Sequence, residues 1–71
     1  MYGNAQRQLG KKVRELRHRL KISQEELAER ANLHRNYVGG IERGERNVSV
    51  NNIVKLAKAM RVHPSQLFED F

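Results

Sequence analysis

Seventy-one residues hold one domain with a small core. The absence of cysteine excludes a disulfide framework and a thiolate metal site, and no apolar run approaches membrane-spanning length. Fourteen Lys and Arg against eight Asp and Glu leave a charge of +6, which is the footprint of a polyanion binder or, more simply, of a solvated basic surface.

Met1 to Gln6 is polar and is expected to fray. No signal peptide stands out, so a cytoplasmic location is the default expectation. Arg7 to Lys21 is the most basic stretch, with seven cations against Glu15 alone. Leu9, Val13, Leu16 and Leu20 recur at helical spacing within it and predict an amphipathic first helix. Such a helix could lie on a membrane surface. Its apolar side is instead needed to cover the segment that follows.

Ser23 and Glu26 are spaced as a capping box, with each side chain meeting the other's amide. Leu27, Ala28 and Ala31 give the second helix one apolar face, and Ala28 is small enough for a close helix crossing. Asn32 suits the left-handed conformation of a sharp reversal, Leu33 plugs the turn, and Gly44 closes the third helix. Val38 and Ile41 point inward on that helix. His34, Arg35, Asn36, Gly39, Gly40 and Arg43 remain outward. Arg and Asn suit bidentate pairing with guanine and adenine edges in a major groove.

The loop Glu45-Arg46-Asn47 follows. Arg46 and Asn47 are placed to touch a DNA backbone, although Asn47 fits a plain solvated loop equally well. Ser49 is a natural cap for a fourth helix. The apolar set Val50, Ile53, Val54, Leu56, Ala57 and Met60 is wide for one core-facing stripe. Part of it is therefore expected to face a second subunit. His63-Pro64 opens a last short helix in which Leu67 and Phe68 are expected to pack inward.

Other chemistries find little support. His18, His34 and His63 lack the spacing and carboxylate company of a metal site, so no metal or cofactor is expected. Ser23, Ser49 and Ser65 sit at helix starts, where capping explains them without nucleophilic catalysis. Glu25, Glu26 and Glu29 crowd one short helix with no room for an enclosed pocket. Gly39-Gly40 lacks the spaced glycines and lysine of a phosphate loop. Tyr2 and Tyr37 are too few for a single-strand stacking platform.

The segment Ser23 to Arg46 resembles the helix-turn-helix of the phage Cro and repressor proteins, the Xre-like family. Gln24, Leu27, Ala28, Leu33, Val38, Ile41, Glu42 and Gly44 carry the likeness, which extends from about Leu9 to Phe68. It implies an all-α, lambda-repressor-like bundle of about five helices, one domain over residues 1–71 with its motif at 23–43. It also implies a sequence-specific double-stranded DNA-binding regulator of transcription and not an enzyme. Under that reading His34, Arg35, Asn36, Gly39 and Gly40 face bases, while Gln24, Tyr37, Arg43, Arg46 and Asn47 face the backbone. Tyr37 is then a packing residue whose hydroxyl reaches a phosphate. The resemblance further implies a structural ion pair between Arg17 and Glu42. A partly buried carboxylate beside Ile41 wants such a partner.

Within the family, the run LHRNYVGGIERGERN is most similar to the controller proteins of restriction–modification systems. Those are small dimers that activate at one site and repress at another. That implies a homodimer on a near-palindromic operator, with RNA polymerase as a further partner; the apolar surplus on the last two helices offers Val50, Val54, Met60, Val62, Phe68 and Phe71 as the dimer interface. An antitoxin or adaptor module of the same fold is the rival reading. Two departures from the family stand out. His34 occupies the cap position usually held by Ser or Thr, which predicts poor capping. Gly39-Gly40 replaces larger polar residues, at about 0.5–1 kcal/mol of helix stability each. The glycines are expected to move readout toward Arg35 and Asn36 and to let the backbone approach DNA closely.

Overall fold

The computed structural model describes residues 4–69 and 71. Four α-helices follow in order: α1 (Ala5–Arg19), α2 (Gln24–Ala31), α3 (Arg35–Glu42) and α4 (Val50–Ala59). The last predicted helix is a single 3-10 turn, Pro64–Phe68. The fold is all-α among the described residues, with four helices and a turn in place of five helices. α1 already includes Ala5 and Gln6, so the expected fraying does not extend to them; Met1 to Gly3 lie outside the described residues.

The starts of α2, α3, α4 and the 3-10 turn each have a side-chain cap, whereas Asn4 makes none for α1. The Ser23 hydroxyl accepts from the Glu26 amide at 3.0 Å and the Ser49 hydroxyl from the Asn52 amide at 3.1 Å. The predicted capping box at Ser23 is only half made, because the Glu26 carboxylate turns to Arg30 at 2.6 Å, one helical turn away. His34 corrects the expectation of poor capping: its Nδ1 accepts from the Asn36 amide at 3.0 Å. His63 repeats the device toward Ser65, so the cap is His63 and not Ser65, and Gln66 completes a capping box there.

The helix ends share one solution. Lys21, Asn32, Gly44 and Arg61 all have positive φ, between 57° and 76°. At each, two amides return to carbonyls of the last helical turn, as Leu33 N to Ala28 O at 2.8 Å and Glu45 N to Gly40 O at 2.9 Å. After three of the four comes an apolar residue, Ile22, Leu33 or Val62, that packs on the core.

Leu9, Val13, Leu16, Ile22, Leu27, Val38, Ile41, Ile53, Leu56, Met60 and Leu67 are all buried. Two expectations change here. Leu20 is 40% exposed and Ile22 takes its place, because the chain reverses at Lys21. Phe68 does not pack inward with Leu67: it is 44% exposed, since successive residues of a 3-10 turn point different ways.

α1 and α3 touch backbone to backbone. A Cβ on Gly10 would lie 2.1 Å from the Ile41 carbonyl oxygen. Only glycine permits this approach, which sets the depth at which α3 is held.

Candidate nucleic-acid interface

α3 presents two unlike faces. Its inner face, Val38 and Ile41, is sealed in the core. At its C-terminal end Glu42 meets Arg17 of α1, with Arg17 Nε donating at 2.7 Å and Nη2 at 3.0 Å. Arg17 Nη1 also donates to the Ile22 carbonyl at 3.0 Å, and Gln24 Nε2 donates to Glu42 at 3.0 Å. One carboxylate thus ties α1, α2 and α3 together. Burial by itself would raise the Glu42 carboxyl; the hydrogen bonds from Arg17 and Gln24, aided by the charges of Arg17 and Arg14, prevail and hold it below its ordinary value.

The outer face is polar and open. Ser23, Gln24 and Glu25 at the start of α2 line a shallow notch with Arg17, Arg35, Asn36, Gly39 and Arg43. Arg35 and Asn36 stand exposed on the first turn of α3, and the Arg35 guanidinium rests on Glu25 at 3.2 Å. Arg43 is exposed and pairs with Glu45 at 3.2 Å. His34 is exposed at the cap. Gln24, expected to face a DNA backbone, is half-buried in the Glu42 network.

The other flank gathers Tyr37, Arg46 and Asn47. The Tyr37 ring is half-buried, and its hydroxyl accepts from Asn52 Nδ2 of α4 at 3.1 Å. Arg46 lies over that ring, 5.6 Å from its centroid. Asn47 accepts a hydrogen bond from Gln6.

Gly39 and Gly40 differ from expectation. Neither is an open stretch of backbone, because both are buried beneath long side chains. A Cβ at 39 would meet Arg43 Nη1 at 3.1 Å and Gln24 Oε1 at 3.4 Å; one at 40 would meet Arg46 Cγ at 3.0 Å. Sequence reasoning also missed Glu25, the acidic partner of Arg35. Its position at the start of α2 was legible, but its reach across the notch was not.

A helix-turn-helix family model matches residues 11–67. The chain is 46% identical over 70 residues to the control protein C.BamHI of Bacillus amyloliquefaciens, covering 97% of this chain and 86% of that protein. The chain belongs to the Xre-like helix-turn-helix family. It is also 44% identical over 59 residues to the control protein C.SmaI of Serratia marcescens, covering 83% of this chain and 70% of that one. Its fold matches the crystal structure of the restriction–modification controller protein C.AhdI of Aeromonas hydrophila with a TM-score of 0.89 and 50% identity, over 90% of this chain and 97% of that chain. Within the family, the chain groups with these control proteins.

The apolar residues assigned to a dimer face separate in the structure. Met60 is 1% exposed and belongs to this chain's own core, so it is withdrawn from that face. Val54 and Val62 are half-buried, Val62 against the core. Val50, Phe68 and Phe71 are exposed, and the two phenylalanine rings meet edge to face at 5.5 Å. Among the described residues no group of His, Cys, Asp and Glu could hold a metal ion, and no helix is long and apolar enough to cross a membrane.

Proposed function

We propose that this protein is a controller-type regulator of transcription that binds double-stranded DNA by laying α3 in the major groove. One observation carries the reading. α3 is fixed at its C-terminal end by the buried Arg17–Glu42 pair, while Asn36 and Arg35, the latter held only by an exposed contact to Glu25, stand at the surface of its first turn. In this role Arg35 and Asn36 meet base edges, His34 borders them, and Arg43, Arg46 and the start of α2 meet phosphates. Gln24 reaches the backbone only at the mouth of the notch, Tyr37 through its hydroxyl edge, and Asn47 at the rim. Occupancy near a promoter then blocks or recruits RNA polymerase.

A single short helix reads only a few base pairs, so the functional unit is a two-fold dimer on a near-palindrome with half-sites roughly 34 Å apart. Val50, Val54, Phe68 and Phe71 supply its apolar contacts, with Val62 beside them. The +6 charge favours association with DNA and makes it salt-dependent. The protein acts in the cytoplasm as a binder, without catalysis. Repeated selection from a random duplex library, followed by footprinting and sedimentation of the complex, tests this. A two-fold symmetric sequence bound by two chains is expected. Failure to enrich any sequence sinks DNA-specific function, and a monomer on one half-site sinks the dimer.

A further inference from the structure

Gly40 was expected to clear a path for DNA, yet the space above it is occupied. The Arg46 side chain crosses it, with Cγ 3.0 Å and Nε 3.1 Å from where a Cβ would stand. Tyr37 is one helical turn earlier on the same face of α3, and the Arg46 guanidinium ends over its ring at 5.6 Å. The ring is itself tethered, since Asn52 of α4 donates to its hydroxyl at 3.1 Å. The loop that carries Arg46 is aimed back along α3 by the reversal at Gly44, φ 76°, and by the Glu45 amide on the Gly40 carbonyl at 2.9 Å.

We propose that Gly40 is a positioning residue for Arg46: the bare backbone at 40 is the floor on which the Arg46 stem lies, and the Tyr37 ring fixes where its guanidinium points. A free arginine loses rotamer entropy when it binds; one already laid across a helix has lost much of it beforehand. A methyl at 40 lifts the stem by a few tenths of an ångström and shifts the guanidinium from its seat over the ring. Asn52, on a different helix, thereby has a part in aiming a DNA-facing cation. The proposal rests on the DNA-binding reading, in which Arg46 contacts the duplex beside α3.

The test uses the intact chain and the duplex enriched by the wild type. Affinity is measured by fluorescence anisotropy for Gly40→Ala, Arg46→Ala and the double variant. Gly40→Ala is expected to bind roughly 5- to 30-fold more weakly than wild type, while in the Arg46→Ala background the same change alters affinity less than about twofold. Melting temperature is expected to hold or rise, because Ala is the better helix former. A structural defect would move melting and affinity down together. A second readout needs no DNA: the Arg46 Nε–H resonance, shifted by the Tyr37 ring current, should return toward its ordinary position in Gly40→Ala and in Tyr37→Leu. Wild-type affinity in Gly40→Ala, or an equal loss with and without Arg46, overturns the proposal. If the wild type enriches no duplex, the DNA-binding reading fails first and the Arg46 role falls with it, whatever the resonance does.

Discussion

Two arginine–glutamate pairs lie at opposite ends of α3, Arg35–Glu25 at its first turn and Arg17–Glu42 at its last, and they do different work. Arg17 and Glu42 have side chains 11% and 4% exposed, meet through two hydrogen bonds, and share Gln24 as a third party. Arg35 and Glu25 are 62% and 73% exposed and meet through one contact at 3.2 Å. Water screens the second pair, which puts it at well under 1 kcal/mol; breaking the first strands a desolvated charge. The last turn of the helix is therefore held by a desolvated network, and its first turn is dressed in chemistry that DNA can easily replace.

The largest expected effect breaks the inner pair. Arg17→Ala or Glu42→Ala should cost about 3–5 kcal/mol, a large share of the stability of so small a domain. Arg17→Met with Glu42→Leu should recover most of it, because no charge is left buried. Denaturant melts of wild type, Arg17→Met, Glu42→Leu and the double variant close a cycle and give the coupling. The pair also makes a pH statement. Glu42 is held below its ordinary value in the folded state. Its contribution is therefore complete above the unfolded carboxyl value, about pH 4–5, and is lost as the pH falls through the lowered folded value. Wild type should lose stability over that acid range, and the Met/Leu variant should lose less. Parallel pH curves for the two would remove Glu42 from the account.

Next in size is Gly10→Ala. The added methyl would meet the Ile41 carbonyl oxygen at 2.1 Å and that of Glu42 at 2.9 Å. Neither is a side chain that can swing away, so α1 and α3 must part. The loss should reach the upper end of the roughly 1–3 kcal/mol usual for overpacking. An ordinary surface Gly→Ala in a helix gains stability instead. A melt that stays put or rises would mean that the crossing is looser than it stands.

The inner side of α3 was legible in the sequence and its outer side much less so, for a physical reason. Val38, Ile41 and Leu27 are set by periodicity, and Ser23, Ser49, Asn32 and Gly44 by the local chemistry of helix ends. Those signals lie within a few residues of what they control. The Arg17–Glu42 pair was named only through family resemblance, since 25 residues separate its members. Gly10 passed unnoticed because a helical glycine shows its purpose only when another helix arrives. Lys21 and Arg61 reverse the chain as Asn32 does, yet nothing in their chemistry announces a left-handed turn. The capping by His34 was misjudged because imidazole is an uncommon acceptor there. Met60 was placed outside by an over-wide apolar stripe, whereas it is 1% exposed in this chain's own core.

Arg35→Ala sharpens the comparison from the other side. With its partner exposed, its removal should change stability by less than about 0.5 kcal/mol. Affinity for the enriched duplex should fall by about 1–3 kcal/mol, with preference relaxed at one base pair. A uniform loss on specific and random DNA would reassign Arg35 to the phosphates. Glu25→Gln gives the converse: with no carboxylate to displace, binding should tighten slightly, stability again unmoved. Were Arg35→Ala to melt as early as Arg17→Ala, the division between the two ends of α3 would collapse.

The smallest effect belongs to the cap at the start of α3. His34 is exposed, but its Nδ1 accepts from the Asn36 amide and so completes the first turn of α3. Loss of such a cap costs about 0.5–1 kcal/mol, and the inner pair, a full helix length away, should not register it. The first turn nevertheless carries Arg35 and Asn36, the two side chains assigned to base edges. Fraying there should therefore cost more in affinity than in stability, the reverse of the pattern at Arg17. His34→Ala should lower the melting temperature by only a few degrees, yet weaken specific binding severalfold and random-duplex binding little. His34→Asp should restore the cap, since carboxylate oxygens accept the same amide and suit a helix start, while placing a negative charge near the phosphates. If the neutral cap His34→Asn regains stability without affinity, His34 serves DNA directly as well as through the helix. If His34→Asn regains both, the imidazole is a cap and nothing more.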